Sequence, residues 1–336
     1  MRAVTIPEFG GADVLRRAEV DVPEPGPGQV SIDVAYAGAN FAEILYRQGV
    51  ADVPLPFVPG IEVSGHVRAV GPDVEGLRRG RPVAALTIVG GGGYAEVAVT
   101  SADLVAPLDG LGLGLDLAAA VPSNSTTAFL ALDRVARIEP GETVLVHAAA
   151  GGVGSQLGQA ARLLGAGRVV GAVGGPAKIE TARGFGYDDV VLRGDLPGEV
   201  AALTGGRGFD IVVDMVGGPA RRASLDALAP MGRMVVMGNA SGADDVGVPA
   251  NELWFANKTV SGFNLAAFAA LAPAEAGRAL RRAVTAAASG GLRVQVEELP
   301  LERAAEAHER IESGATTGKL VLKVQDWTEP EPGRPA

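Results

Sequence analysis

The chain has 336 residues, enough for two sizeable cores, and its 48 glycines and 22 prolines suit an α/β protein with many tight turns. Acidic residues outnumber basic ones by 39 to 29, a formal net charge of -10, so no basic stripe exists to replace the counterions of a nucleic acid. Cysteine is absent, which excludes disulfides, thiolate metal sites and a cysteine nucleophile.

The first residues, MRAVTIPEFGGADVL, have no apolar core followed by small residues, so no secretory leader is expected. No uninterrupted apolar run is long enough to cross a bilayer, and a cytoplasmic protein is expected. Up to about residue 120 the chain reads as strand-rich. Short β-branched runs (QVSIDVAYAG, SGHVRAVG, RPVAAL, YAEVAVT) alternate with PEPGPG, GPDVEG and VGGGG, the pattern of a partly open barrel. Helical periodicity appears there only over residues 40–48, where Asn40, Glu43, Tyr46 and Arg47 crowd together.

From residue 118 the rhythm changes. LAAAVPSNSTTAFLALDRVARI reads as helical, and then strands and helices alternate. TVLVHA, RVVGAV, DDVVL, FDIVVDMV and RMVVMG are the strands; helices fall over 153–164, 176–184, 197–203 and 219–228. Near-continuous apolar strands of this kind form a parallel sheet buried on both faces, here doubly wound. An Ala-rich helix over 273–289, a strand over 292–299, a helix over 301–313 and a strand in GKLVLKV complete the chain. These late pieces are too few to make a domain. They are expected to rejoin the first one, giving a discontinuous domain of residues 1–124 and 265–330 around a nucleotide-binding domain of 125–264, with a disordered tail over 331–336.

Within VLVHAAAGGVGSQLGQ, Ala149-x-Gly151-x-x-Gly154 supplies the three small residues of a dinucleotide fingerprint between a strand and a helix. Residues Ala150, Gly151, Gly152, Val153 and Gly154 are expected to present backbone N–H groups to a pyrophosphate. At the end of the second strand, around Gly174, no acid stands at 173–176 to bind a ribose 2′-hydroxyl, while Lys178 and Arg193 follow closely. Two cations without an acid suit a 2′-phosphate, so NADPH is expected over NADH; the alternative is two solvated cations.

His66, His147 and His308 have no partners at metal-ligand spacing, and structural roles are expected for all three. No metal site is expected. Hydride carried by nicotinamide needs none if the acceptor is already electrophilic, as quinones and conjugated carbonyls are.

With these residues in view, the chain resembles the zinc-independent quinone oxidoreductase (ζ-crystallin-like) branch of the medium-chain dehydrogenase/reductase superfamily. The resemblance runs from GANF at 38–41 through PFVPGIEVSGHVRAVG, GGYAEVAV, TTAFLAL, GETVLVHAAAGGVGSQLGQ, GGRGFDIVVDMVGG and GRMVVMGNASG to ATTGKLVL at 315–322. Zinc-dependent cousins have a Cys near Asn40 and a His near Ile61, both missing here. The resemblance implies a GroES-like partly open β-barrel domain plus a doubly wound Rossmann domain, the nicotinamide in the cleft between them, and a homodimer. It places Asn40 beside nicotinamide and substrate, Thr127 on the cofactor, and Gly238, Asn239, Ala240, Ser241, Phe263 and Asn264 along the nicotinamide half. Lys319 would close over the phosphates. Each has a plainer reading: Asn40 as a helix cap, Thr127 as a helix-start residue, Asn239 and Ser241 as turn formers, Lys319 as a surface lysine.

Departures from the family pattern bear on the chemistry. Many such quinone reductases carry Tyr five residues after the Asn, where this chain has Leu45; Tyr46 is one place later. Enoyl-reducing relatives carry Tyr eleven residues after it, where this chain has Ala51. A common Asp is Glu43 here, which with Arg47 reads as a helix-surface or interdomain residue. An acceptor pocket lined by Asn40, Tyr46, Tyr94, Trp254 and Phe263 is expected, with Asn40 and Tyr46 the candidate catalytic groups. NADPH-dependent, metal-free reduction of a quinone leads. An ene or enoyl reductase acting on enones or acyl thioesters needs a placed acid for carbon protonation. A catalytically idle NADPH-binding protein is the remaining alternative.

Overall fold

In the computed structural model, which describes residues 1–314 and 316–326, the chain divides into two compact units. One comprises Met1–Ser123, Ala266–Ser289 and the described residues from Val294; the other comprises Asn124–Leu265 and Gly290–Arg293. The tail expected over 331–336 lies outside the described residues.

In chain order, β1 (Arg2–Thr5), β2 (Arg16–Glu19) and β3 (Gln29–Gly38) precede helix α1 (Phe41–Arg47). Then come β4 (Glu62–Val70), β5 (Pro82–Leu86), β6 (Val97–Ser101), β7 (Val105–Pro107), α2 (Leu115–Ala118) and α3 (Pro122–Phe129). The second unit continues with β8 (Thr143–His147), α4 (Gly152–Leu163), β9 (Arg168–Val173), α5 (Ile179–Arg183), β10 (Asp189–Leu192) and α6 (Leu196–Thr204). It ends with β11 (Phe209–Asp214), α7 (Pro219–Ala227), β12 (Leu228–Val236), α8 (Ala250–Ala256) and β13 (Thr259–Gly262). Helices α9 (Leu265–Leu271) and α10 (Pro273–Ala288), strand β14 (Val296–Pro300), helix α11 (Ala304–Glu312) and strand β15 (Lys319–Lys323) follow.

The first unit is built on a seven-stranded sheet in the order β14-β15-β3-β4-β5-β7, with β6 paired to β3. All neighbours are antiparallel except β14 and β15. Val30, Ile32 and Val34 of β3 pack with Val63, Val67, Val83 and Leu322 in one apolar cluster. The antiparallel turns set the site. The end of β3 lies against the starts of β4 and β15, with Ala37 opposite Val63 and Gly38 opposite Val321.

The second unit carries six parallel strands in the order β10-β9-β8-β11-β12-β13. This is the doubly wound order that reverses beside the first strand of the series, where ligands meet the strands' carboxyl ends. Leu145, Val170, Val212 and Met234 from four of the strands share one core.

Element boundaries moved for physical reasons. The strand expected from 292 starts only at Val296, because Gln156 and Gln159 of α4 donate to the Arg293 carbonyl (3.1 and 2.9 Å) and Gln159 accepts from the Arg293 N–H at 2.7 Å. The helix expected over 176–184 opens as a 3-10 turn, Pro176–Lys178, before α5. Helix α8 and strand β13 had no counterpart among the expected elements; both are short, and TVSG offers one apolar residue.

Candidate functional site

In the first unit the strand ends bring four buried polar side chains together: Asn40 is 8%, Lys319 3%, and Glu43 and Glu62 0% exposed. Lys319 Nζ donates to Asn40 Oδ1 and pairs with Glu62 Oε1. Asn40 Nδ2 donates to Glu62 Oε1 at 2.9 Å, and the Ser123 N–H donates to Glu62 Oε2 at 2.7 Å. An ammonium must face the amide oxygen and a carboxylate the amide nitrogen, so the orientation of the Asn40 amide is fixed by charge. Asn40 occupies the position before α1 with extended backbone but makes no side-chain cap bond, which overturns the cap reading. Lys319 is not a surface lysine either. Its ammonium meets Asn40 and Glu62.

Glu43 and Arg47 are corrections to the sequence reading, for both are fully buried rather than on a helix surface. Glu43 Oε1 accepts from the Ile61 N–H at 3.1 Å and from Asn40 Nδ2 at 3.4 Å. Burial pushes the Glu43 carboxyl up to about 7, with Lys319 pulling the other way. Arg47 donates to the Gly10 carbonyl at 2.6 Å and to Glu312 at 2.7 Å. Tyr46, between them on α1, is half-buried with its ring edge-on to Phe57. Nothing among the described residues hydrogen-bonds its hydroxyl. Burial, aided by Glu43, pushes that phenol up to about 12, so it stays a donor at any working pH.

Tyr94 does not line a pocket. It is fully buried in the first unit's core, with its hydroxyl 3.2 Å from His308 Nε2. His308, on a charged helix, is itself fully buried. His147 is too, with Nε2 2.8 Å from Ser224 Oγ, and burial pushes its imidazole down to about 4. Among the described residues no three His, Asp or Glu side chains gather as a metal site.

In the second unit, residues 150–154, 174, 178, 193, 238–241 and 263–264 all follow the carboxyl ends of β8, β9, β10, β12 and β13. Gly151 is extended at the start of α4 and no side chain caps that helix, so its first N–H groups remain for a ligand. A side chain at Gly154 would run into the Ala148 carbonyl; one at Gly152 would lie 2.6 Å from Asn124 Nδ2. Thr127 is buried in α3, three residues after Asn124.

Arg193 follows β10 directly, its N–H on the Val173 carbonyl at 2.8 Å. Its guanidinium lies beside Gly174, where a Cβ would come within 3.4 Å of it. Burial lowers its proton affinity, Asp214 opposes this, and its Nε is buried without a hydrogen-bond partner among the described residues. Lys178 ends the 3-10 turn after β9, the neighbouring strand. Asn239 and Ser241 lace their own turn, Asn239 Nδ2 to the Ala243 carbonyl at 2.9 Å and Ser241 Oγ to Asn239 Oδ1 at 3.2 Å. The Ala240 and Ser241 N–H groups reach the Met215 and Val216 carbonyls, and Arg221, paired with buried Asp214, holds the Gly238 carbonyl at 2.7 Å. Phe263 is buried, whereas Asn264 is exposed and Trp254 is 70% exposed, stacked on Phe255.

Two family models match, an alcohol dehydrogenase GroES-like domain over residues 26–110 and a zinc-binding dehydrogenase domain over 185–322. The probable quinone oxidoreductase of Schizosaccharomyces pombe is 34% identical over 328 residues, 95% of this chain and 96% of that protein. The chain belongs to the quinone oxidoreductase branch of the medium-chain dehydrogenase/reductase superfamily. It is an oxidoreductase. The quinone oxidoreductase of Escherichia coli, solved in complex with NADPH, superposes with a TM-score of 0.87 at 31% identity, covering 96% of this chain and all of that one. A Mycobacterium tuberculosis polyketide synthase subunit is 33% identical over 325 residues, 95% of this chain but 14% of that protein.

Sequence reasoning within this branch overlooked Glu62 and Asn124. The signal for Glu62 was a single acid inside an apolar strand, IEVSG, where a charge survives only with a buried partner.

Proposed function

We propose that this quinone oxidoreductase relative uses NADPH to reduce a quinone. The observation that carries the reading is the set at the carboxyl end of the second unit's parallel sheet. There an uncapped helix start behind a glycine turn lies with Arg193 and Lys178, which follow neighbouring strands. The residues fit the cofactor. The close approach at Gly152 and Gly154 leaves no room for a side chain, the uncapped start of α4 suits a pyrophosphate, and Arg193 Nε beside Gly174, without a partner among the described residues, suits a 2′-phosphate. Bound NADPH supplies hydride. The chain's own groups bind, orient and donate: Tyr46 offers a phenol hydrogen bond, and Asn40 an amide N–H, to an oxygen of the acceptor. Both polarise the acceptor without needing to surrender a proton, and a hydroquinone oxygen takes its proton from water.

The ene or enoyl reductase reading keeps support from the polyketide synthase relative. In that case Tyr46, half-buried and with no hydrogen bond to its hydroxyl among the described residues, would be the acid. Localisation in the cytoplasm and a homodimer stand as parts of the same proposal; among the described residues no helix is long and apolar enough to cross a membrane.

NADPH oxidation measured with a quinone panel and an enone panel separates the readings. Turnover with enones alone would transfer the assignment to the second. Arg193→Ala should weaken NADPH binding by about tenfold or more while changing NADH binding little, an order set by one lost charge-assisted bond. Equal losses would remove Arg193 from the 2′-phosphate.

A further inference from the structure

The Asn40 amide has two N–H bonds, and the structure treats them unequally. One is committed to Glu62 Oε1 at 2.9 Å. The other is divided between the Gly38 carbonyl and Glu43 Oε1, each at 3.4 Å, long for a hydrogen bond. Asn40 is buried like the other three, at 8% exposure against 3% or less. Its second N–H is the less firmly held of the two, and Glu43 is one of its two acceptors.

We infer that Glu43 governs the donor that Asn40 offers to the acceptor. As the neutral acid it leaves one Asn40 N–H available to a carbonyl oxygen; as the carboxylate it withdraws that N–H. This rests on the reductase reading above. The geometry supports the neutral form as the resting one, because Glu43 Oε2 is buried with no hydrogen-bond partner among the described residues. A desolvated, unpaired anionic oxygen is among the costliest arrangements a fold can hold. The charges around it agree. Lys319 on β15 already serves Glu62 on β4, and Tyr94 ahead of β6 and Tyr46 on the same helix both stay protonated. Arg47 is turned to Gly10 and Glu312. Lys319 thus faces both carboxylates, and ionising Glu43 adds a second anion to the one cation already paired with Glu62. Burial holds its titration near neutrality, where a physiological change of pH reaches it.

Glu43 is a positioning residue here, since it acts through Asn40. The experiment follows KM for duroquinone against pH in the wild type and in Glu43→Gln, which keeps an acceptor oxygen but cannot ionise. The wild-type KM should rise about fivefold between about pH 6 and about pH 9, the order of one net hydrogen bond, while KM for NADPH stays level. In Glu43→Gln the duroquinone KM should be flat and low. If Glu43→Gln fails to fold, Glu43→Asp keeps the acid but shortens its reach by one methylene, and should flatten the rise. A parallel rise in wild type and variant, or the same slope in KM for NADPH, overturns the proposal. Should the wild type reduce no quinone at all, the functional reading falls. Duroquinone affinity by calorimetry at the two pH values then decides the Asn40 claim: a fivefold weakening confined to wild type supports it, and equal affinities sink it.

Discussion

Glu43 couples protonation to folding as well as to the site. In the unfolded chain its carboxyl ionises in the ordinary range near 4.5, but in the folded protein burial delays this to about 7. Between those values the folded state binds more protons than the unfolded one, so stability falls as pH rises through the window and levels off above it. The loss attributable to this group is on the order of 3 kcal/mol at most, the size set by the shift. Urea denaturation at several pH values should show a steeper decline in the wild type than in Glu43→Gln over that window. Superimposable curves would mean that Glu43 is ionised in the folded protein.

The strand ends of β3, β4 and β15 act together. Lys319 and Glu62 form a buried pair held by Asn40 and the Ser123 N–H. Removing only the cation, as in Lys319→Met, leaves an anion without solvent and should cost about 3–5 kcal/mol. The double change Lys319→Met with Glu62→Gln removes the orphan and should recover much of that, read as denaturation midpoints. No recovery would mean that the lysine's value lies in packing. Gly38 belongs to the same arrangement, since a Cβ there would lie 2.6 Å from the Glu62 Cδ.

How far the sequence could reach also differs from element to element. The parallel strands were plain because both faces are buried, and the glycine turn was plain because a strand, a close approach and a helix start follow one another along the chain. Arg193 and Lys178 could be placed from neighbouring strand ends alone. Glu43 and Arg47 were misread because α1 has seven residues, too few for periodicity to separate a buried from a solvated face. Their partners are remote: Arg47 meets Glu312 across 265 positions of sequence. Burial that depends on such partners leaves no local pattern. Tyr94 was misplaced for the same reason, its hydroxyl being taken by His308 across 214 positions.

For the molecule as a whole, the two units each carry one half of the proposed chemistry, acceptor groups in the first and cofactor groups in the second. The second unit's sheet also has an open edge at β13, and α8 just before it exposes Trp254 and Phe255 at 70% and 76%. Unpaired strand edges and exposed aromatic pairs are features that natural proteins usually cover. Light scattering should give twice the chain mass for the wild type and a smaller value for Trp254→Asp combined with Phe255→Asp. A wild-type mass of one chain removes the dimer from the proposal.

The bond between Lys319 and Asn40 joins residues 279 positions apart. A ribosome adding about 10 residues per second needs roughly half a minute to travel that distance. Through that interval β3 and β4 exist without the cation that neutralises Glu62, so the nascent first unit holds an open sheet edge and an unmatched acid. The Lys319–Asn40–Glu62 arrangement is therefore completed late in synthesis, once β15 has been made.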